Sequence, residues 1–535
     1  MTSSCCRVLA LLLSLTLGAA LDAAGAPRLL ILHPLYAGSH ERVLRGLGER
    51  LVAEGGYHVT QLRWLSDKTR PVNSSVEVMD LRLAPPPAGS QFFDAAGVYR
   101  VPTSLLWRTG GGLGLVAAGA LEPLYAHCER LLSDRDLFES LRRRRFDAAL
   151  VDLSTNECGL VLARALGLPV VGFCGKRFVG AAAHASPAPS LAAVSPTFAS
   201  GLPPAMNTWQ RLQNAAMVLA QQLLLRLHLR RVDAIRERHF PRVPSAERLL
   251  GEVDLVLVRT DFLAAEPAHL PPNVQAVGCI QCREARPLSP RFEAFMESAG
   301  VDGVVVFSLG MTGYDADTVP QELIEVFISA FSKLKQKVVM QMSTARVPNA
   351  PANVLLVDWL PQLDVLGHRQ TRLFVSHCGM GGVLEALYHG VPVLCVPIFL
   401  DQGENAAFLE YRGLGLTLDR HRLTEPTVTA ALRRLLTSDS FRQKAQYLAE
   451  LRRLDPNSAA DRAIYWINMV VRFGRLDHLR MIDAHLSWFQ YWLIDVALVL
   501  VVITVATITV VWRCCGACLR RSRRQQVDAN AVGKM

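Results

Sequence analysis

Two neighbouring stretches decide the fold: Trp359–His368 (WLPQLDVLGH) and Phe374–Gln402 (FVSHCGMGGVLEALYHGVPVLCVPIFLDQ). In the second, an apolar run ends at Ser376, His377 falls in the turn, and Gly379, Gly381 and Gly382 open a helix that predicts to about Tyr388. Glycines there let the backbone approach a ligand, and a helix N-terminus attracts phosphate. A histidine at that turn can donate to a diphosphate oxygen. Glu385, one turn into the helix, is placed to accept from ribose hydroxyls.

Outward from this unit the pattern repeats. Strands are expected at 304–309, 337–342, 354–357, 373–376 and 393–397, with helices at 320–334 and 382–388 between them. The first half shows the same alternation. Strands are expected at 29–33, 58–65, 146–152 and 169–173, and helices at 41–54 and 157–166. Strand–helix alternation means parallel α/β sheets. The expected fold is therefore α/β, with two facing Rossmann-like domains and ligands at the strand carboxyl ends. The stretch 283–298, with Pro287 and Pro290, reads as the linker. Residues 185–205 read as an irregular loop, and 217–229 as a helix that is either buried or resting on a membrane.

The two termini are apolar in different ways. Residues 1–24 read as a signal peptide, with Arg7 before a short apolar run and small residues after it. Near the other end, 496–512 is apolar apart from threonines, whose hydroxyls can bond the helix backbone, and it is flanked by Trp488, Tyr491, Trp492 and Trp512. It reads as a transmembrane helix with interfacial aromatic belts. The arginines that follow make 513–535 a cytosolic tail and the chain a single-pass type I protein. The expected division is 1–24 signal peptide, 25–285 N-terminal domain, 286–475 C-terminal domain, 476–495 juxtamembrane segment, 496–512 span and 513–535 basic tail.

Composition agrees with a membrane-bound globular protein. Of 535 residues 50% are hydrophobic and 19% charged, which excludes a disordered chain. The net charge of +10 resides in Arg142–Arg145, the stretch 226–242 and the tail. No aromatic residues interleave with these clusters, so no nucleic-acid partner is expected. Seven of the twelve cysteines lie between the two apolar ends, an odd number. Cys279 and Cys282 form a lone CxxC, expected to be structural. Asn73-Ser74-Ser75 is an N-glycosylation sequon.

These motifs resemble the animal UDP-glycosyltransferase family, which includes the UDP-glucuronosyltransferases and the ceramide galactosyltransferase. The likeness covers nearly the whole chain and is strongest over about 300–410. It implies that Trp359 stacks on uracil with Gln362 beside the nucleoside, that His377 binds the diphosphate, and that Glu385 binds the ribose. Asp401 and Gln402 would bond sugar hydroxyls. Ser308 and Gly310 match the SLG turn, and Gly379 and Gly382 the glycines of the signature. His40 corresponds to the catalytic histidine and Asp152 to the aspartate that orients it. Arg259 resembles an arginine of some glucuronosyl-transferring members. Two positions depart from the family pattern: Met311, where Ser or Thr is usual, and Gly381, where Asn or His is frequent.

The function implied is inverting transfer from a UDP-sugar, first choice glucuronic acid, to a hydroxyl or amine of a lipophilic small molecule or lipid. The alternatives are a UDP-galactose or UDP-glucose transferase acting on a sphingolipid or other lipid, and a catalytically silent partner of active members. No cofactor is expected beyond the UDP-sugar co-substrate, and no metal. The implied partners are the UDP-sugar donor, the lipophilic acceptor, the membrane, and homo- or hetero-oligomers with family members. The implied location is the endoplasmic reticulum membrane with the catalytic part luminal, although the tail ends VGKM without the family's dilysine signal.

Overall fold

The computed structural model describes residues 25–33, 38–64, 73–81, 121–175, 193, 195–260, 270–310, 319–479, 488–491 and 493–532. The chain forms two units, 1–480 and 481–535, taken separately below.

The first unit is built on two wholly parallel sheets. One has seven strands: β1 Arg28–Leu32, β2 His58–Trp64, β3 Glu77–Leu81, β4 Ala148–Asp152, β5 Val170–Cys174, β6 Leu255–Val258 and β7 Val274–Ala276, in the order β3-β2-β1-β4-β5-β6-β7. The other has six: β8 Val304–Ser308, β9 Lys337–Gln341, β10 Val354–Val357, β11 Thr371–Ser376, β12 Val393–Cys395 and β13 Gly415–Thr417, in the order β10-β9-β8-β11-β12-β13.

Strand order reverses between β1 and β4 in the first sheet and between β8 and β11 in the second. Ligands of open parallel sheets bind at such switch points, beyond the strand carboxyl ends. Leu32 pairs with Val151 at the first switch and Ser308 with Ser376 at the second. The loops that follow these pairs hold most of the expected site.

Both faces of each sheet are covered, which is why the strands read as continuous apolar runs rather than alternating ones. In β1, Leu30 and Leu32 join one buried cluster while Leu29 and Ile31 join another. The second of these clusters holds an unexpected member. Helix Ala459–Phe473 buries Ala459, Ala460, Ala463, Ile467 and Val470 against Leu29, Ile31, Val171 and Leu255. Asp461 pairs with Arg50 at 2.7 Å, Asn468 accepts from Tyr57 Oη at 2.5 Å, and Arg462 donates to the Val277 carbonyl at 2.8 Å. A segment that the sequence reading groups with 286–475 thus covers the first sheet.

The connecting stretch 283–298 lies between the last strand of one sheet and the first of the next, and its second half is helix Pro290–Glu297. The described part of 185–205 contains only turns and bends. The helix expected at 217–229 extends over Thr208–His239, opened by an Asn207–Gln210 capping box.

The second unit is dominated by one helix, Ile494–Val532, of which Ile494–Ser522 is long and apolar enough to cross a membrane. Thr504, Thr507 and Thr509 donate to the carbonyls four residues earlier at 2.7–2.8 Å, so their hydroxyls are satisfied within the helix. The signal-peptide residues and Met311 lie outside the described residues.

Candidate active site

The first half of the site forms where β1 and β4 end side by side. His40 lies in the first turn of helix Gly38–Gly55, and Asp152 is the last residue of β4. His40 Nδ1 and Asp152 Oδ2 are 2.6 Å apart, with the carboxylate wholly buried and the imidazole side chain 17% exposed. Burial alone would raise the Asp152 carboxyl, but the His40 imidazole and the hydrogen bonds from His40 and Ser154 outweigh it and hold it below its usual value. The Ser154 N–H donates to Oδ1 at 2.9 Å, and Thr155 turns the chain with φ +59°. Such a pairing fixes a histidine with its Nδ1 proton on the carboxylate and its Nε2 available as a base.

A further residue shapes this half. Gly175, just beyond β5, lies so close under the imidazole that a Cβ there would come 2.2 Å from His40 Cε1. Phe173 meets the same ring edge-on at 6.0 Å.

The second half forms where β8 and β11 end. His377 is held between two glycines: a Cβ on Gly310 would lie 2.6 Å from its Cε1, and one on Gly379 2.6 Å from its Nε2. Gly310 has φ +83°, a conformation that favours glycine independently. Glycine at these two positions also leaves room for the His377 imidazole. Gly382 similarly faces Phe374 and Gln362, and Gly381 faces Arg259. Burial drives the His377 imidazole down to about 4, against the opposing pull of Asp401 and the Ser308 backbone, so the ring is neutral at pH 7. Its Nδ1 is buried without a hydrogen-bond partner.

Glu385 accepts from Gln362 Nε2 at 2.7 Å and from Gln281 Nε2 at 3.2 Å, and burial raises its carboxyl. Gln281 lies inside the Cys279–Cys282 disulfide loop, so the CxxC holds a side chain against the expected ribose ligand. Asp401 Oδ2 accepts from Asn405 Nδ2 at 2.9 Å, and the same nitrogen donates to the Cys378 carbonyl at 3.0 Å. Cys378, at φ +61°, is joined by a disulfide to Cys395 in β12, while Leu400, just before Asp401, has φ +55°. Non-glycine residues in that region are strained and persist where surrounding structure holds them. A third disulfide, Cys128–Cys158, accounts for the odd cysteine count, leaving Cys174 as a buried thiol.

Two expected ligands are largely committed to the protein itself. Ser308, 1% exposed, donates to Gln341 Oε1 at 2.7 Å and accepts from the Gly310 N–H. Gln402, 3% exposed, accepts from the Ile398 and Phe399 N–H groups through Oε1, so only its own N–H groups can serve a sugar. Trp359 is 59% exposed, with the Arg42 guanidinium 5.6 Å from its ring centroid.

Arg259 joins the two halves. It follows β6 directly, is 3% exposed, and feels the charges of Glu385, Asp401 and Asp152; burial nonetheless lowers its pKa. The Ala199 N–H also crosses, donating to Glu404 Oε1 at 3.0 Å. Asn73 is exposed. One group of metal-holding geometry, Glu293, Glu297 and His368, occurs among the described residues, and its members pair with one another and with Arg369. Gly175, Gln281 and Asn405 were not foreseen from sequence. Each is a single common residue whose role appears only when distant strands meet.

Comparison with known proteins bears on the chain as a whole. Residues 117–527 match the family described as UDP-glucoronosyl and UDP-glucosyl transferase. Mouse UDP-glucuronosyltransferase 1A7 is 30% identical over 485 residues, covering 89% of each chain. Human UDP-glucuronosyltransferase 1A10 is 33% identical over 401 residues, covering 75% of this chain and 74% of that one. Among solved structures, the glycotransferase of kitacinnamycin superposes with a TM-score of 0.57 at 20% identity, covering 83% of this chain and 99% of that one. A UDP-glucosyltransferase from Polygonum tinctorium gives 0.56 at 18% identity, covering 84% and 99%. The structural likeness establishes the GT-B fold, and the sequence match establishes the rest: this chain belongs to the UDP-glucoronosyl and UDP-glucosyl transferase family and is a UDP-glycosyltransferase.

Proposed function

We propose that the protein transfers glucuronic acid, with inversion, from UDP-glucuronic acid to a hydroxyl or amine of a lipophilic small molecule or lipid. The observation that carries this reading is the 2.6 Å His40–Asp152 pair at the first switch point, together with the His377 turn at the second. His40 is the general base: its Nε2 takes the acceptor proton while Asp152 keeps the tautomer and stabilises the imidazolium. The acceptor oxygen or nitrogen attacks the anomeric carbon of the α-linked sugar, the bond to UDP breaks, and a β-glycoside results. Negative charge on departing UDP is met by His377 and the N-terminus of helix Met380–Tyr388. Trp359 and Gln362 hold the uracil side, Glu385 the ribose, and Asp401 and Gln402 the sugar hydroxyls. The choice of glucuronic acid follows the relatives, which are named UDP-glucuronosyltransferases.

The apolar helix Ile494–Ser522 and the arginines after it support a type I orientation in the endoplasmic reticulum membrane, catalytic part luminal. Three disulfides agree with an oxidising compartment. The deciding experiment is a donor screen of detergent-solubilised protein with UDP-glucuronic acid, UDP-glucose, UDP-galactose and UDP-N-acetylglucosamine. Preference for a neutral hexose would replace glucuronic acid in this reading.

A further inference from the structure

Cys514, Cys515 and Cys518 follow Trp512 within two turns of helix Ile494–Val532. All three are exposed free thiols, and glycosyl transfer has no use for them. Cysteine is among the residue types most often buried. The other described cysteines are accounted for within the chain, six in disulfides and Cys174 as a buried thiol. Three bare thiols on neighbouring turns of a helix therefore look outside the chain for a partner.

Their placement says of what kind. At about 100° per residue, the three fall within a sector of about 100° around the helix, with Arg513 and Arg520 on roughly the opposite face. The same sector continues inward through Val511 and Leu500, both exposed along a span that the chain leaves uncovered. The apolar run 496–512 rises about 24 Å, short of a hydrocarbon core of about 30 Å. Cys514 lies roughly 3 Å and Cys518 roughly 9 Å beyond Trp512, where hydrocarbon gives way to headgroups. Arg513, Arg520 and Arg521 hold that end of the helix at an anionic surface. Clustered thiols can also bind metal, but the group of metal-holding geometry among the described residues is Glu293, Glu297 and His368.

We propose that Cys514, Cys515 and Cys518 are sites of reversible S-acylation by long-chain fatty acyl groups, which lie in the membrane along the face of Val511 and Leu500. This rests on the reading that the tail is cytosolic, where thiols stay reduced and the acyl donor is a coenzyme A thioester. In each transfer the cysteine sulfur attacks the acyl carbonyl carbon. A carbon–sulfur bond forms, the bond to the coenzyme A sulfur breaks, and the cysteine proton leaves on the coenzyme A thiol. Nothing is oxidised or reduced. The acyl chains add apolar length to a span that is short of it, and thioester hydrolysis takes that length away.

The test is acyl exchange on the full chain, expressed in cultured animal cells with a C-terminal epitope tag. Denatured protein is capped with N-ethylmaleimide, treated with neutral hydroxylamine to cleave thioesters, and labelled with a polyethylene-glycol maleimide. Disulfides resist hydroxylamine, so the paired cysteines stay silent, and Cys174 is capped. The expected result is up to three mass increments that depend on hydroxylamine, none of which survives in the triple variant Cys514→Ser, Cys515→Ser, Cys518→Ser. The substituted side chains are exposed, so that variant folds as the unaltered protein does. Increments that persist in the triple variant overturn the proposal, as does a non-reducing gel in which these cysteines join two copies of the chain. Protease added to sealed microsomes separates the two readings. Loss of the tag with no increments overturns acylation and leaves the orientation standing, whereas a protected tag overturns the type I reading and acylation with it.

Discussion

The His40 imidazole rests on Gly175, so close that a methyl group there would meet three of its ring atoms within 2.8 Å. No other residue type fits beneath the ring without moving it. Gly175→Ala is therefore expected to lower kcat by about a hundred- to ten-thousandfold, the usual cost of losing a general base. UDP affinity and Tm should remain near those of the unaltered protein. Normal turnover in this variant would show that the ring position is not critical.

The two histidines of the site should separate in their effects. His40→Ala is expected to abolish transfer yet leave UDP binding nearly intact. Asp152→Ala should be severe but less complete, since the imidazole survives and only its orientation is lost. His377→Ala should weaken UDP itself. Turnover and UDP affinity measured on all three variants check this, and near-normal turnover of His40→Ala with an alcohol acceptor would require another base.

Trp359 is 59% exposed and contributes little to the core. Trp359→Ala should therefore leave Tm almost unchanged while costing UDP about 1–3 kcal/mol, the range for one base stacked on an aromatic ring. Uridine should be weakened by the same factor as UDP. A loss restricted to UDP would place the tryptophan at the phosphate instead.

Acid should destabilise the fold through buried histidines. Burial pushes His377, His127 and His389 down from 6.5 to about 4. The unfolded chain thus binds more protons than the folded one between those values. Stability is complete above about pH 6.5 and declines as pH falls toward 4. Tm measured across this window should fall, and less steeply in His377→Gln. An unaltered slope in that variant would mean His377 titrates normally in the folded state.

Membrane orientation has a direct readout. Protease added to sealed microsomes should remove only the tail after Trp512, and Asn73 should carry a glycosidase-sensitive glycan. Degradation of the bulk of the chain would reverse the orientation.

Central strands were legible because burial on both faces makes them uninterrupted apolar runs: LLIL in β1 and VVVFS in β8 are examples. Three of the four edge strands were not, although Val354–Val357 was, and the four-residue inner strand Leu255–Val258 was missed. Val274–Ala276 and Gly415–Thr417 have three residues each, and Glu77–Leu81 (EVMDL) is broken by two acidic residues, so none shows a period. The motif residues His40, Asp152, His377 and Glu385 were legible as a set, since resemblance ties them together. Gly175 was not, because what demands glycine there is an imidazole 135 positions earlier in the chain. Gln281 was hidden for the same reason, its partner Glu385 lying 104 positions on, and Asn405 because its bond to the Cys378 carbonyl appears only in the packed structure.

Helix Ala459–Phe473 returns to the first sheet after the second has been completed, so the polypeptide passes between them twice, once on either side of the 304–417 strands. A door hung at two points swings about the line joining them and resists twisting. The two sheets are thus tied together by two separate chain crossings, one after Ala276 and one after Thr417. The same routing means the half bearing His40 is not a contiguous gene fragment. A piece ending at 285 would lose the helix that packs on β5, β6 and helix Gly38–Gly55, and part of the cluster around Val171 and Leu255 would be uncovered.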